Sequence, residues 1–273
     1  MITLAIKFVA LLGFAVMFFW TLITGREEVP LTERTQIIAV AEDQVAALGE
    51  QAFRDVLQKH RVVGSGADAE RVGRITGRIA AAADAITEKD YRWEVALLDA
   101  PSVNAFALPG GKVAVLSGLL EVARTDDQLA AVVGHEVGHV LARHGAERMT
   151  QEQLAQYGRL AVGVAIGDLD PATQSAVLGA LGMGAQFGIL MPFSRKHETE
   201  ADRIGLILMA RACFDPRAAR EVWANMAQAA GEGPPEILST HPSHASRVAA
   251  LDALMQEAMA EREEAGCPAL PEV

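Results

Sequence analysis

The segment His135-Glu136-Val137-Gly138-His139 sets two imidazoles four residues apart, with a carboxylate beside the first. On a helix, positions four apart share one face, a turn from each other. Both rings can then reach a single ion at about 2.0–2.1 Å, the length of a zinc–nitrogen bond. Glu136 would sit near enough to take a proton from water at that ion, and zinc brings the pKa of such water down to about 7. The pattern is short enough to arise by chance, so its surroundings decide. They are apolar on both sides, LAAVVG before and VGHVL after, which predicts a buried helix. Burying two histidines and a glutamate together is unfavourable unless something pairs with them. These residues therefore predict one zinc ion per chain on His135 and His139, with Glu136 as general base.

A third ligand must come from elsewhere. In a metzincin the tenth residue after His135 would be a histidine; here it is Gly145, so that pattern fails. A glutamate on a downstream helix is the other common solution. The run SRKHETEADRIGL carries Glu198 and Asp202 four apart on one helical face, whereas Glu200 points about 200° around the helix. Glu198 could bind the ion while Asp202 accepts a hydrogen bond from a metal-bound imidazole and fixes its tautomer. Spacing alone allows equally a solvated acidic helix start, favourable to the helix dipole.

The segments VNAFALPGGKV, HEVGHVLARH, SRKHETEADRIG and THPSHASR together resemble the Oma1-, BepA- and Ste24-like zinc endopeptidases, an HExxH gluzincin family, over roughly residues 32–255. The resemblance implies that Glu198 is the third ligand and Asp202 its neighbour's hydrogen-bond partner. It implies that Asn104, Ala105 and Phe106 lie on an edge strand where substrate docks by strand addition, a mode that grips backbone and reads little sequence. It also places His241 and Arg247, from HPxxxxR, near the metal. A donor there would stabilise the oxyanion of the tetrahedral intermediate; alternatively His241 occupies the open position on zinc and holds the enzyme latent. His144, His197 and His244 are expected to be structural or exposed.

The elements that must position these residues are mostly helical. Apolar periodicity predicts helices over residues 32–60 and 67–87, after a charged linker at 27–31. Alternation predicts strands over 91–98, 103–108 and 112–116, the last two joined by a tight turn at Pro109-Gly110-Gly111. Thr125 and Gln128 form a capping box, with Asp126 and Asp127 at the positive end of the dipole. The helix they open is expected to run to His144 and stop at Gly145. Further helices follow over 149–166, 194–211 and 216–230, and a last one ends near Glu264. Residues 173–190, glycine-rich and apolar, suit a lid or cleft wall better than a second membrane span.

The chain's 273 residues suffice for one catalytic domain, residues 26–273, behind an N-terminal appendage, residues 1–25. Hydrophobic residues make up 51% but aromatics only 5%, a mix that favours helices over a sandwich or barrel. The net charge of −11 repels phosphate backbones and argues against nucleic acid as a partner. Residues 2–24 form an apolar run interrupted only by Lys7. The run ends Leu22-Ile23-Thr24-Gly25, a poor cleavage site, so a signal anchor is favoured over a removed signal peptide. Lys7 precedes the uncharged stretch 8–23 and Glu27 and Glu28 follow it, which orients the catalytic domain outside the cytoplasm, on the periplasmic side of an inner membrane. In such an oxidising compartment Cys213 and Cys267 could pair and staple the C-terminal tail to the body.

The expected fold is mainly α with a small β-sheet, a zincin-like domain behind an N-terminal hydrophobic helix. The expected activity is zinc-dependent hydrolysis of peptide bonds, with unfolded or misassembled envelope proteins as substrates by resemblance. A membrane-anchored chaperone or assembly factor with a latent protease site is the alternative.

Overall fold

A computed structural model describes residues 4–185, 191–229 and 247–271, apart from the side chains of 183–185 and 191–194. Helix α1 (Leu4–Thr24) leads directly into a hairpin of β1 (Arg26–Glu28) and β2 (Thr35–Ile37). The expected linker and the expected helix start at residue 32 are thus both replaced by strands. Positive φ at Leu31 and Glu33 folds the intervening loop. It is closed by Val29 N–H on the Arg34 carbonyl at 2.9 Å and Glu33 N–H on the Val29 carbonyl at 3.0 Å. Ile38 packs instead with Val45 and Ala146, and Gln36 is buried. Tertiary partners outweigh the local periodicity here. Helix α2 (Glu42–Lys59) follows, then α3 (Ala67–Asp84).

Strands β3 (Glu94–Leu98), β4 (Ala105–Leu108) and β5 (Lys112–Leu116) form one sheet in the order β3-β5-β4. β5 runs parallel to β3 and antiparallel to β4, with Phe106 opposite Ala114. Gly110 and Gly111, at φ 82° and 89°, make the tight β4–β5 turn that other residues would strain. Every residue of β5 is buried, while β4 is an edge among the described residues.

Helix α4 (Asp126–Leu141) lies at the centre of the molecule, packed by α3, β4 and the later helices α7 (Met191–Arg211) and α8 (Ala218–Ala229). The Thr125–Gln128 capping box is formed at its start. The helix ends earlier than expected. Arg143 adopts a left-handed conformation, φ 54°, with its guanidinium 2.5 Å from Glu27. His144 therefore opens α5 (His144–Ala165) and does not close α4.

Helix α6 (Pro171–Ala185) lies against α5, and none of its described side chains lines the cleft at the HExxH helix. The expected lid is not formed by this part; residues 186–190 lie outside the described residues. The last helix, α9 (Arg247–Glu264), packs on α7 and α8. A disulfide between Cys213 and Cys267, Cα atoms 5.3 Å apart, fastens the chain after α9 to the end of α7. The fold is mainly helical with small sheets, as composition and patterning predict.

Candidate metal centre and cleft

The geometry of the centre begins with a helix crossing. Helices α4 and α7 touch at glycine: a Cβ on Gly134 would stand 2.8 Å from the Gly205 carbonyl oxygen, and one on Gly138 2.9 Å from that of Ala201. From the other side, a Cβ on Gly205 would meet the His135 backbone nitrogen at 2.7 Å. Only bare backbone permits so close an approach. The closeness brings Glu198 to the two histidines of α4.

Donor atoms of three side chains converge there. His135 Nε2 lies 3.1 Å from His139 Nε2, Glu198 Oε2 lies 3.3 Å from His135 Nε2, and Glu198 Oε1 lies 3.5 Å from His139 Nε2. Ligands held tetrahedrally at zinc distances stand about 3.3 Å from one another. The two Nε2 atoms and the Glu198 carboxylate therefore lie close enough together to share one such ion. His135 and Glu198 are buried and His139 partly so.

Each ring is oriented by its other nitrogen. His135 Nδ1 lies 2.9 Å from Asp202 Oδ1, which leaves Nε2 for a metal. Burial and the Arg247 charge oppose a proton on His135, yet its bonds to Asp202 and Glu198 push its pKa up to about 9. His139 Nδ1 lies 2.8 Å from His144 Nδ1, and His144 Nε2 lies 2.9 Å from Glu200 Oε2. Burial pulls the His144 pKa down to about 4, against the pull of Glu200, so the ring is neutral at pH 7. A neutral ring that donates to Glu200 through Nε2 can accept from His139 through Nδ1.

The support continues outward. Glu200 accepts from Thr32 Oγ1 at 2.5 Å and from Arg34 Nε at 2.9 Å. Arg34 also donates to Glu147 at 2.8 Å, and Glu147 meets His197 Nε2 at 2.8 Å. Burial raises the pKa of Glu147 and Glu200, but hydrogen bonds from the neighbouring histidines and Arg34 win and hold both down to about 2. His144 and His197, stacked with centroids 4.2 Å apart, are both buried. These partners are not legible in the sequence, whose one local signal for them is weak: a buried-type spacing of polar residues on two helices, which a single chain cannot pair by itself.

Glu136 is buried beside His135, and its Oε2 accepts from the Ala107 N–H of β4 at 3.2 Å. With His139, Glu198, Phe106 and Ala107 it lines a cleft of about 650 Å³. Asn104 is buried, and its carbonyl accepts from Leu116 N–H at 3.0 Å. Antiparallel pairing alternates, so Phe106 also bonds toward β5, while the amides and carbonyls of Ala105 and Ala107 face the open edge beside Glu136.

Arg247, expected near the metal, does lie beside the candidate centre, its guanidinium 3.4 Å from His135 Nε2, although it does not line the cleft. Its guanidinium stacks on Trp223 at 3.6 Å and donates to Asp202 Oδ1 at 2.5 Å, with Glu198 Oε2 at 3.6 Å. It lies against the Glu198 and Asp202 carboxylates. His241 lies outside the described residues.

Two imidazoles of an HExxH helix and a carboxylate from a crossing helix, set below the open edge of a small sheet, define a metallopeptidase site. The pattern of Peptidase family M48 matches residues 67–255, and the chain belongs to that family. It is 36% identical over 249 residues to the mitochondrial metalloendopeptidase OMA1 of Schizosaccharomyces pombe, covering 89% of this chain and 71% of that one. It is 35% identical over 271 residues to metalloendopeptidase OMA1 of Danio rerio, covering 96% of this chain and 56% of that protein. A further relative is the beta-barrel assembly-enhancing protease of Escherichia coli, 35% identical over 159 residues, or 56% of this chain and 32% of that one. The chain spans little more than half the length of the vertebrate relative. Membership of the family makes it a metalloendopeptidase and implies a metal.

Proposed function

We propose that this chain is a zinc-dependent endopeptidase anchored in a membrane by residues 1–25, with residues 26–273 as its catalytic domain on the extracytoplasmic, periplasmic side. Its substrates are unfolded or misassembled polypeptides of the envelope. The observation that carries the activity is the convergence of His135 Nε2 and His139 Nε2, 3.1 Å apart, on the Glu198 carboxylate, whose two oxygens lie 3.3 Å from the first and 3.5 Å from the second. A zinc ion held by these three residues supplies Lewis acidity, which makes water nucleophilic at neutral pH. Glu136 takes the proton from the attacking water and delivers it to the leaving amine. Asp202 fixes the tautomer of His135. Arg247 holds Glu198 and Asp202 in place by charge, and His241 donates to the developing oxyanion.

Substrate enters as an extended strand beside β4, gripped through the backbone of Ala105 and Ala107 with Asn104 and Phe106 shaping the strand. Such binding reads main chain, and unfolded polypeptide is what offers it. An envelope location is supported by the length and apolarity of α1 and by the Cys213–Cys267 disulfide.

Casein cleavage by the purified full chain tests the activity. Cutting should stop with a chelator and return with zinc. Glu136→Gln should lower kcat by roughly 10²–10⁴-fold while zinc stays bound. Full activity of metal-free protein would overturn the proposal.

A further inference from the structure

Helix α6 is an anomaly for a soluble domain. From Ala176 to Ala185 it reads AVLGALGMGA, apolar or small on every side. A helix without a polar face belongs in a core or in lipid. Yet Val177 and Leu181 are exposed, as is Leu160 on the outer part of α5. Between Leu160 and Ser194 the only charged residues are Asp168 and Asp170, both in the turn that joins α5 to α6. Asp170 caps α6 through Thr173 N–H at 3.0 Å.

Beside this hairpin lies α1, the one described helix long and apolar enough to cross a bilayer. Two ion pairs fix how they run. Glu27, just past α1, meets Arg143, just before α5; Lys7, near the start of α1, meets Asp168 at 2.6 Å, just past α5. The two helices are therefore antiparallel neighbours. Lys7 is the only buried residue of α1, and its partner is at the tip of the hairpin. From Thr24 to Lys7 the rise is about 26 Å, close to the hydrocarbon thickness of a bilayer. If α1 spans the membrane, the hairpin tip is carried through it to the level of Lys7, and the pair leaves neither charge alone there. Among the polar residues of outer α5, Glu152, Gln156 and Arg159 line a groove shared with Gly182 of α6 and the start of α2.

We propose that the α5–α6 hairpin is itself embedded in the bilayer alongside α1, so that the enzyme is held by a three-helix membrane unit and not by a single anchor. The occupant of the exposed α6 surface is lipid acyl chain. The inference rests on α1 being a membrane helix, and the test separates the two.

The full chain, with single cysteines introduced by Val177→Cys or Leu181→Cys, is labelled with the fluorophore NBD; the native cysteines are bridged and do not react. It is reconstituted in vesicles of phosphatidylethanolamine and phosphatidylglycerol, with or without nitroxide on the acyl chains. Val16→Cys in α1 and Gln51→Cys on α2 serve as references. Labels at 177 and 181 should lose roughly half their emission or more to the nitroxide lipid, like the label at 16, while that at 51 is unaffected. Quenching at 16 but not at 177 and 181 overturns the hairpin proposal and leaves the anchor. A blue-shifted label at 177 that nitroxide lipid does not quench would mean that protein, such as a second copy, covers α6, and overturns it as well. No quenching at 16 removes both.

Discussion

His144 Nδ1 lies 2.8 Å from Nδ1 of His139, across the break between α4 and α5. The left-handed Arg143 turns His144 back onto the HExxH helix, so an imidazole orients His139 as Asp202 orients His135. The two histidines are thus supported by different chemistry, one by a carboxylate directly and one through a neutral ring to Glu200.

That arrangement predicts the effect of removing the ring. His144→Ala should weaken zinc binding by about 10–100-fold, the usual effect of losing a ligand's outer partner. Competition with a chromophoric chelator measures it, with circular dichroism as the check on folding. An unchanged affinity in a folded variant would show that His139 needs no such support.

The crossing of α4 and α7 should be as sensitive as the ligands. A Cβ at position 205 meets His135 backbone atoms at 2.7 and 2.9 Å, where no flexible side chain can give way. Gly205→Val should therefore separate the helices, lower the melting temperature and reduce zinc content well below one per chain. Thermal unfolding and elemental analysis report both. A variant that keeps wild-type metal content would mean the crossing has slack.

Acid should loosen the buried ion network through Glu147. Its pKa is lowered from 4.5 to about 2 in the folded chain by His197 and Arg34. A depressed carboxylate binds protons more readily in the unfolded state, so its stabilisation is complete above about pH 4.5 and disappears as pH falls towards 2. Urea unfolding of wild type and Glu147→Gln across that range should show a shallower pH slope in the variant. Parallel slopes would assign the acid sensitivity elsewhere.

Reducing the Cys213–Cys267 bridge should destabilise the chain without emptying the metal site. The bridge closes a 54-residue separation, for which chain entropy predicts up to about 4 kcal/mol. Denaturant unfolding of Cys213→Ser/Cys267→Ser against wild type gives the difference. Reduced stability with normal casein cleavage in mild conditions is the expected outcome.

Much of this was readable along the chain. The HExxH spacing, the Thr125 capping box, the Pro109-Gly110-Gly111 turn and the apolar N-terminal run are local features, set by helix period, cap chemistry and turn geometry. No helix starts at residue 32, although Ile37 and Ile38 match a helical period; Thr35–Ile37 form β2 and the helix begins at Glu42. Thr32 and Arg34 answer to partners more than a hundred residues away, Glu147 and Glu200.

The sequence by itself determined which residues can bind a metal and which element carries them, because ligand chemistry and helical spacing are local. Only the tertiary structure decided that Glu198 meets both imidazoles, that His144 backs His139 and that Arg247 lies against the carboxylates and not in the cleft. Those outcomes depend on how closely α4 and α7 approach at Gly134, Gly138 and Gly205 and on where Arg143 breaks the chain. Distances between helices are set by packing of the whole core, and no stretch of one helix encodes them alone.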